Sequence, residues 1–409
     1  MILNKNTVAV LSTILLLTYT AVAQMDKMVD AYALSIQHEA KKDYFGAIRS
    51  ILTLKDSTAY ENNLRLGWLY YKAGLEKKSL HYYQRAVDMM PGAIEPRIGY
   101  GYPAYLLEDF NDLIAQDRKI LEIDPNNKIT NSNLAQIYYY DKQFDKALKH
   151  FQKVVQQYPF DYDNNLLLAW TYLKLGNNAE AETCFNTALL YSPGDPSAKE
   201  GMEIMGKSGA GTWPIIPAFA TSYEFASNSD NKNAAAELQK IYDRKSYFIN
   251  LRLGWLMYLA GMHNESFNYY KIATEIMPAS VEAKLGTLLP LEAMGNTTEQ
   301  KTICESILSI DPQNTSALYK LGFIYYQKKE FDKAMPYFEK LVKLYPFSYD
   351  GLFMYAWTHY QLGKLTESRE IFYKVLCLSP GNQSVMQALR LKQAGEAEKP
   401  GDREIIKPR

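Results

Sequence analysis

The chain has 409 residues, with 45 Lys and Arg balanced by 45 Asp and Glu, so it lacks the basic footprint of a nucleic-acid binder. Hydrophobic content of 47% and charged content of 22% are those of a folded protein and argue against a disordered one. Three cysteines, Cys184, Cys304 and Cys377, with no CxxC, exclude a disulfide-stapled scaffold and read as buried, inert thiols. Tyrosine is the outlier, at 33 residues, and that aromatic excess needs a place in the fold.

Residues 1–23 carry a short positive start at Lys5, an apolar run over Thr7–Thr18 and a small-x-small site at Ala21-Val22-Ala23. This is the pattern of a secretory signal peptide, the other reading being an uncleaved membrane anchor. No later segment approaches the ~18 continuous apolar residues of a spanning helix. The expectation is an exported chain with no stable membrane insertion after cleavage, most simply in the periplasm of a Gram-negative bacterium.

Residues 24–205 form a first array. Pro91, Pro125, Pro159 and Pro193 fall 34 residues apart, a length that suits two helices of about a dozen residues plus turns. In the unit ending at Pro159, Leu134 and Tyr138 share a face of a first helix by i, i+4 spacing. Ala147, Phe151 and Val154 share a face of a second helix. Pro159 cannot continue that helix. Asp195 is a good N-cap for a terminal helix that would cover the last unit.

Residues 206–232 are punctuated by Gly, Ser and Pro and read as an irregular, apolar linker. Trp213, Ile215, Ile216, Phe219, Tyr223 and Phe225 leave two readings open: a linker packed on the half-arrays, or an extended segment lying in a groove of its own chain. Residues 233–394 form a second array. Only the second helix of its opening pair is expected, around Asn233–Asp243. Asn382 caps its terminal helix. Residues 395–409 are charged, and a disordered tail is expected.

The two arrays are copies. A shift of 187 places NLRLGW at Asn63 on NLRLGW at Asn250, Tyr158-Pro159-Phe160 on Tyr345-Pro346-Phe347, and Trp170 on Trp357. Roughly 40% of the positions over Asn63–Gly194 are identical under that shift.

The units resemble the tetratricopeptide repeat family, whose pattern is Trp-x2-Leu-Gly-x2-Tyr, then Ala-x3-Phe, then Pro. Leu321-Gly322, Tyr325, Ala334, Phe338 and Pro346 match it best. Leu66-Gly67, Tyr70, Ser79, Tyr83 and Pro91 match with small departures. The first Trp of the pattern is absent, and Asn63, Asn131 and Asn165 stand there. The resemblance implies an all-α solenoid of tetratricopeptide-like helix pairs, in two homologous arrays joined by the irregular linker.

It also implies a site. In such arrays the residue after Leu-Gly, and those three and four further on, face a concave groove that binds peptides or partner proteins. Here those positions hold Trp68, Tyr71, Tyr102, Tyr105, Tyr139, Tyr140 and Trp170 in the first half. In the second half they hold Trp255, Tyr258, Phe323, Tyr326, Trp357 and Tyr360. The other reading is that these rings pack against the first helices of neighbouring units. Lys72, at a place where chaperone-tail receptors carry a clamp charge, becomes Leu259 in the second half, which disfavours that role. No nucleophile elbow, phosphate loop, dinucleotide fingerprint or metal-ligand spacing occurs, so no catalytic residue, metal or cofactor is expected. The expected function is a non-catalytic exported scaffold that binds a protein or peptide. A second reading is a cell-envelope polysaccharide or peptidoglycan binding factor that uses Trp and Tyr as stacking platforms. A third is a module of an enzyme complex.

Overall fold

The computed structural model describes residues 5–54, 59–207 and 212–393, with side chains from 23 to 389 within those spans. Among them are twenty-two helices and no strand. The first half holds α1 (Lys5–Ala40), α2 (Tyr44–Leu52), α3 (Tyr60–Lys72), α4 (Glu76–Met89), α5 (Glu95–Leu106), α6 (Phe110–Ile123), α7 (Lys128–Tyr140), α8 (Phe144–Gln157), α9 (Tyr162–Lys174), α10 (Asn178–Tyr191) and α11 (Pro196–Ile204). The second holds α12 (Ile216–Ser227), α13 (Asn231–Lys240), α14 (Tyr247–Leu259), α15 (His263–Ile276), α16 (Val281–Ala293), α17 (Thr297–Ile310), α18 (Thr315–Gln327), α19 (Phe331–Leu344), α20 (Tyr349–Gln361), α21 (Leu365–Leu378) and α22 (Gln383–Gln393). From α14 onward each helix reproduces its first-half counterpart under the shift of 187. The tail 395–409 lies outside the described residues.

Three devices set the helix-pair geometry. Rings of the second helices fill slots lined by glycine. A Cβ on Gly67 would stand 2.9 Å from the Tyr83 ring, and one on Gly99 only 2.2 Å from it, so both glycines are needed for this close approach. Tyr270 sits in the same way between Gly254 and Gly286. Where the pattern's Ala becomes Ser79 or Ser266, the hydroxyl donates to the carbonyl of Gly67 or Gly254, each at 2.7 Å.

The turn inside each pair needs a left-handed residue. Gly74, Glu108, Lys142 and Gly176 supply it in the first half, and Gly261, Gly295, Lys329 and Gly363 in the second, all with positive φ. The turn between pairs is held by the position where the family's first Trp is missing. Asn131 donates to the Pro125 and Asn127 carbonyls, Asn165 to those of Pro159 and Asp161, and Asn250 to those of Arg244 and Ser246. Arg97 and Lys284 reach the Pro91 and Pro278 carbonyls from the same place. The departure from the family pattern is thus a side-chain clamp that ties the start of a first helix to carbonyls of the turn before it.

The stretch 206–232 corrects the expectation of an irregular linker. Residues 216–227 are helical, pair with α13, and match 29–40 of α1 under the shift of 187. Pro217 stands in the first turn of α12, where its missing N–H is no loss. Ile216, Phe219 and Ser222 are buried in a core that runs from α9 and α10 through α13 into α14. Trp213 packs on Phe248 at 5.8 Å. The segment therefore supplies the missing first helix of a pair and does not lie extended in a groove.

The compact units do not follow the sequence halves. One unit comprises Met1–Asp117 with Gly322–Arg409, the other Arg118–Leu321, so each is built from both halves. Each contains the same junction. In the first unit Glu95 accepts from the Phe347 N–H at 2.9 Å and the Tyr60 hydroxyl at 3.0 Å, and the Ile94 N–H donates to the Leu344 carbonyl at 2.8 Å. In the second, Glu282 accepts from the Phe160 N–H at 3.0 Å and the Tyr247 hydroxyl at 3.2 Å. There the duplicated Tyr-Pro-Phe motif acts as a corner that seats on a carboxylate.

Candidate binding surface

The first helices position the thirteen predicted aromatic residues, and the structure sorts them by exposure. In the first unit, Trp68 and Tyr71 on α3 are half-buried, while Tyr102 and Tyr105 on α5 are 48% and 61% exposed. Trp68 leans on Tyr71 at 5.8 Å between centroids, and Tyr71 stacks on Tyr102 at 5.6 Å. Tyr105 meets the edge of Phe110 at 6.0 Å. Leu106, Leu107 and Phe110 are exposed beside them. This is an open aromatic surface on consecutive helix pairs.

Trp68 also has a packing role. Its indole N–H donates to Glu39 of α1 at 2.6 Å, and Lys72 lies over its ring at 5.3 Å. Arg65 bonds the same Glu39 at 2.5 Å and donates from its other nitrogens to Ser35 at 3.2–3.3 Å.

Three predicted residues leave the surface. Tyr326, Trp357 and Tyr360 are buried in the first unit. Trp357 is enclosed by Phe372 at 5.0 Å, Tyr360 at 5.3 Å and Phe353 at 6.3 Å, and Tyr326 meets Phe331 at 5.2 Å. These rings build core. Phe323 is half-buried.

In the second unit, Tyr140 is 72% exposed and Tyr139 is half-buried between Tyr140 and Phe144. Trp170 is half-buried: its N–H donates to Ser197 at 2.9 Å and its ring stands on Phe185 at 5.3 Å. Trp255 is 39% exposed and stacks on Tyr258 at 5.9 Å. Trp68 is tied to α1 and Trp170 to α10 and α11, whereas Tyr102, Tyr105, Tyr140 and Trp255 are open.

Among the described residues, no group of His, Cys, Asp and Glu could hold a metal ion. The second unit has an apolar cleft of about 520 Å³ bounded by α8, α9, α10 and Met277–Ala279. Cys184 on its wall has its thiol pushed up to about 12, first by burial and then by Glu180, so it stays protonated and unreactive at neutral pH. Sequence reasoning missed Leu106, Leu107 and Phe110, which extend the aromatic surface. Their positions at and beyond the end of α5 lie outside the face it considered.

A family profile described as Tetratricopeptide repeat matches residues 139–202, and a second with the same description matches 316–348. No curated protein sequence matches the chain. Among solved structures, the chain is similar to a tetratricopeptide repeat protein from Parabacteroides merdae ATCC 43184, with 15% identity and a TM-score of 0.40 over 65% of this chain and 99% of that one. It is also similar to MamA, with 19% identity and a TM-score of 0.38 over 45% of this chain and 96% of that one. The matched repeats, the 34-residue period and the helix pairs built on it agree: the chain is a tetratricopeptide repeat protein.

Proposed function

We propose that the protein is a non-catalytic exported scaffold that binds a protein or peptide partner through the open aromatic faces of its first helices. The observation that carries this reading is the ladder Trp68–Tyr71–Tyr102, with Tyr102 and Tyr105 left exposed beside Leu106, Leu107 and Phe110. A contiguous exposed apolar patch is unusual on a free surface and characteristic of interaction sites. Tyr and Trp, with Arg, are enriched among the few residues that dominate binding where such sites are mapped.

Export rests on the pattern of residues 1–23. No helix among the described residues is long and apolar enough to cross a membrane. Exposed rings such as Tyr140 also suit stacking on sugars, which a glycan array would reveal.

The test is partner capture from envelope extract with wild type and with Tyr102→Ala/Tyr105→Ala. Each ring is worth on the order of 1–2 kcal/mol as an anchor, so the double variant should lose about 30- to 1,000-fold in affinity. Trp68 and Trp170 are poorer choices, because each holds a hydrogen bond within the fold. A well-folded double variant that retains full affinity would refute the reading.

A further inference from the structure

The duplication exposes a vacated site. In the first half, Glu39 is the shared anion of Arg65 and Trp68, and Ser35 takes the remaining Arg65 donors. Under the shift of 187 these residues become Ala226, Arg252, Trp255 and Ser222. The cation, the indole and the hydroxyl are kept, while the carboxylate has been replaced by a methyl group.

The consequences are visible in the second unit. Arg252 is half-buried and makes no hydrogen bond or ion pair with any described residue; its Nε and Nη2 are buried without a partner, and it rests over the Tyr223 ring at 4.2 Å. The Ser222 hydroxyl is likewise buried and unpaired. Trp255 has lost the counterpart of its acceptor and is 39% exposed, and Ala226 is partly open. A half-buried guanidinium with no anion is costly to keep, and a carboxylate placed as Glu39 is placed would restore charge-assisted hydrogen bonds to it.

We propose that Arg252 and Trp255, with buried Ser222 behind the guanidinium as Ser35 stands behind Arg65, form a socket for a carboxylate carried by a partner peptide, beside the ring of Tyr258. This deepens the partner-binding reading above and rests on it. The ligand chemistry is read from the other half of the chain: a glutamate side chain on a helix already fills the equivalent place. A peptide's terminal carboxylate offers the same chemistry from a second source.

The experiment follows the Trp255 indole N–H by 1H–15N NMR of the full chain, with the signal assigned through Trp255→Phe. The probes are acetyl-Ala-Glu-Ala-amide, acetyl-Ala-Ala-Ala with a free terminus, acetyl-Ala-Gln-Ala-amide and sodium glucuronate, at constant ionic strength. A saturable shift with either carboxylate peptide, and none with the glutamine peptide, supports the socket, and the more effective peptide identifies the source. Ala226→Glu should fill the site from within, raise the thermal midpoint and weaken the peptide at least ~10-fold. No saturable shift with either carboxylate peptide overturns the proposal, as does undiminished binding by Ala226→Glu or saturation by glucuronate alone. If the socket is silent while partner capture still depends on Tyr102 and Tyr105, the socket alone is refuted. If capture ignores those tyrosines, the wider reading falls.

Discussion

Replacing both junction glutamates, Glu95→Gln and Glu282→Gln, should stabilise the protein at pH 8 and flatten its pH dependence. Each carboxyl is pushed from 4.5 up to about 7, first by burial; the bonds from Phe347 and Tyr60, or from Phe160 and Tyr247, pull back only part of the way. Below about pH 4.5 the carboxyl is protonated in both the folded and the unfolded chain. Between 4.5 and about 7 the folded protein keeps a proton that the unfolded chain releases, so stability falls as pH rises, and above about 7 the loss is complete. A change from 4.5 to about 7 corresponds to about 3 kcal/mol; both side chains retain some solvent contact, which reduces this to about 2 kcal/mol per site. Glutamine keeps an acceptor for the N–H and hydroxyl donors and carries no charge. Urea unfolding at pH 5, 6, 7 and 8 measures the effect as the difference between the double variant and wild type, because Asp117, also pushed up to about 7 by burial, contributes equally to both. A difference that stays constant with pH, or a double variant less stable than wild type at pH 8, would refute the assignment of these carboxylates.

Further outcomes follow from the repeat geometry. Lys142→Gly and Lys329→Gly relieve left-handed backbone at φ of 58° and 60° and should each raise stability by up to about 1 kcal/mol in chemical denaturation; destabilisation would mean that the lysine side chains matter more than the backbone. Gly99→Ala drives a methyl group into the Tyr83 ring and should cost about 2 kcal/mol or more, whereas Gly92→Ala, with open space around its Cβ, should fall within about 0.5 kcal/mol of wild type. If export follows the pattern of residues 1–23, intact-mass analysis of protein from the cell envelope should find a chain beginning at Gln24; a chain retaining Met1 would contradict it.

The helix pairs were legible because their determinants are local. The 34-residue proline period marks the units, and Leu-Gly facing an aromatic ring and Ala-x3-Phe each act within a single helix pair. Pro217 misled because proline both ends helices and begins them, and only alignment with residues 29–40 shows which role it has. Asn131 and Asn165 were visible as departures from a pattern, but their carbonyl partners belong to turns whose geometry the sequence does not display. The burial of Tyr326, Trp357 and Tyr360 was beyond reach, since a helical face says where a ring points and not what comes to meet it. The same limit hid the junctions: no period in the sequence pairs Glu95 with Phe347, or Glu282 with Phe160. The vacated socket was written in the sequence as Glu39 against Ala226, but it became meaningful only once Arg65 and Trp68 were seen to share Glu39.

The central claim is that the open tyrosines of the first helices contact a partner. A photoreactive p-benzoylphenylalanine at position 105 or 140, where Tyr105 and Tyr140 are 61% and 72% exposed, tests it in intact cells. A control at position 119, where the Lys119 side chain is 58% exposed on a second helix, reports chance encounters. The account predicts a discrete crosslinked species from 105 or 140 and none from 119, competed away by wild-type protein but not by Tyr102→Ala/Tyr105→Ala. Equal crosslinking from all three positions, or equal competition by the variant, would contradict it.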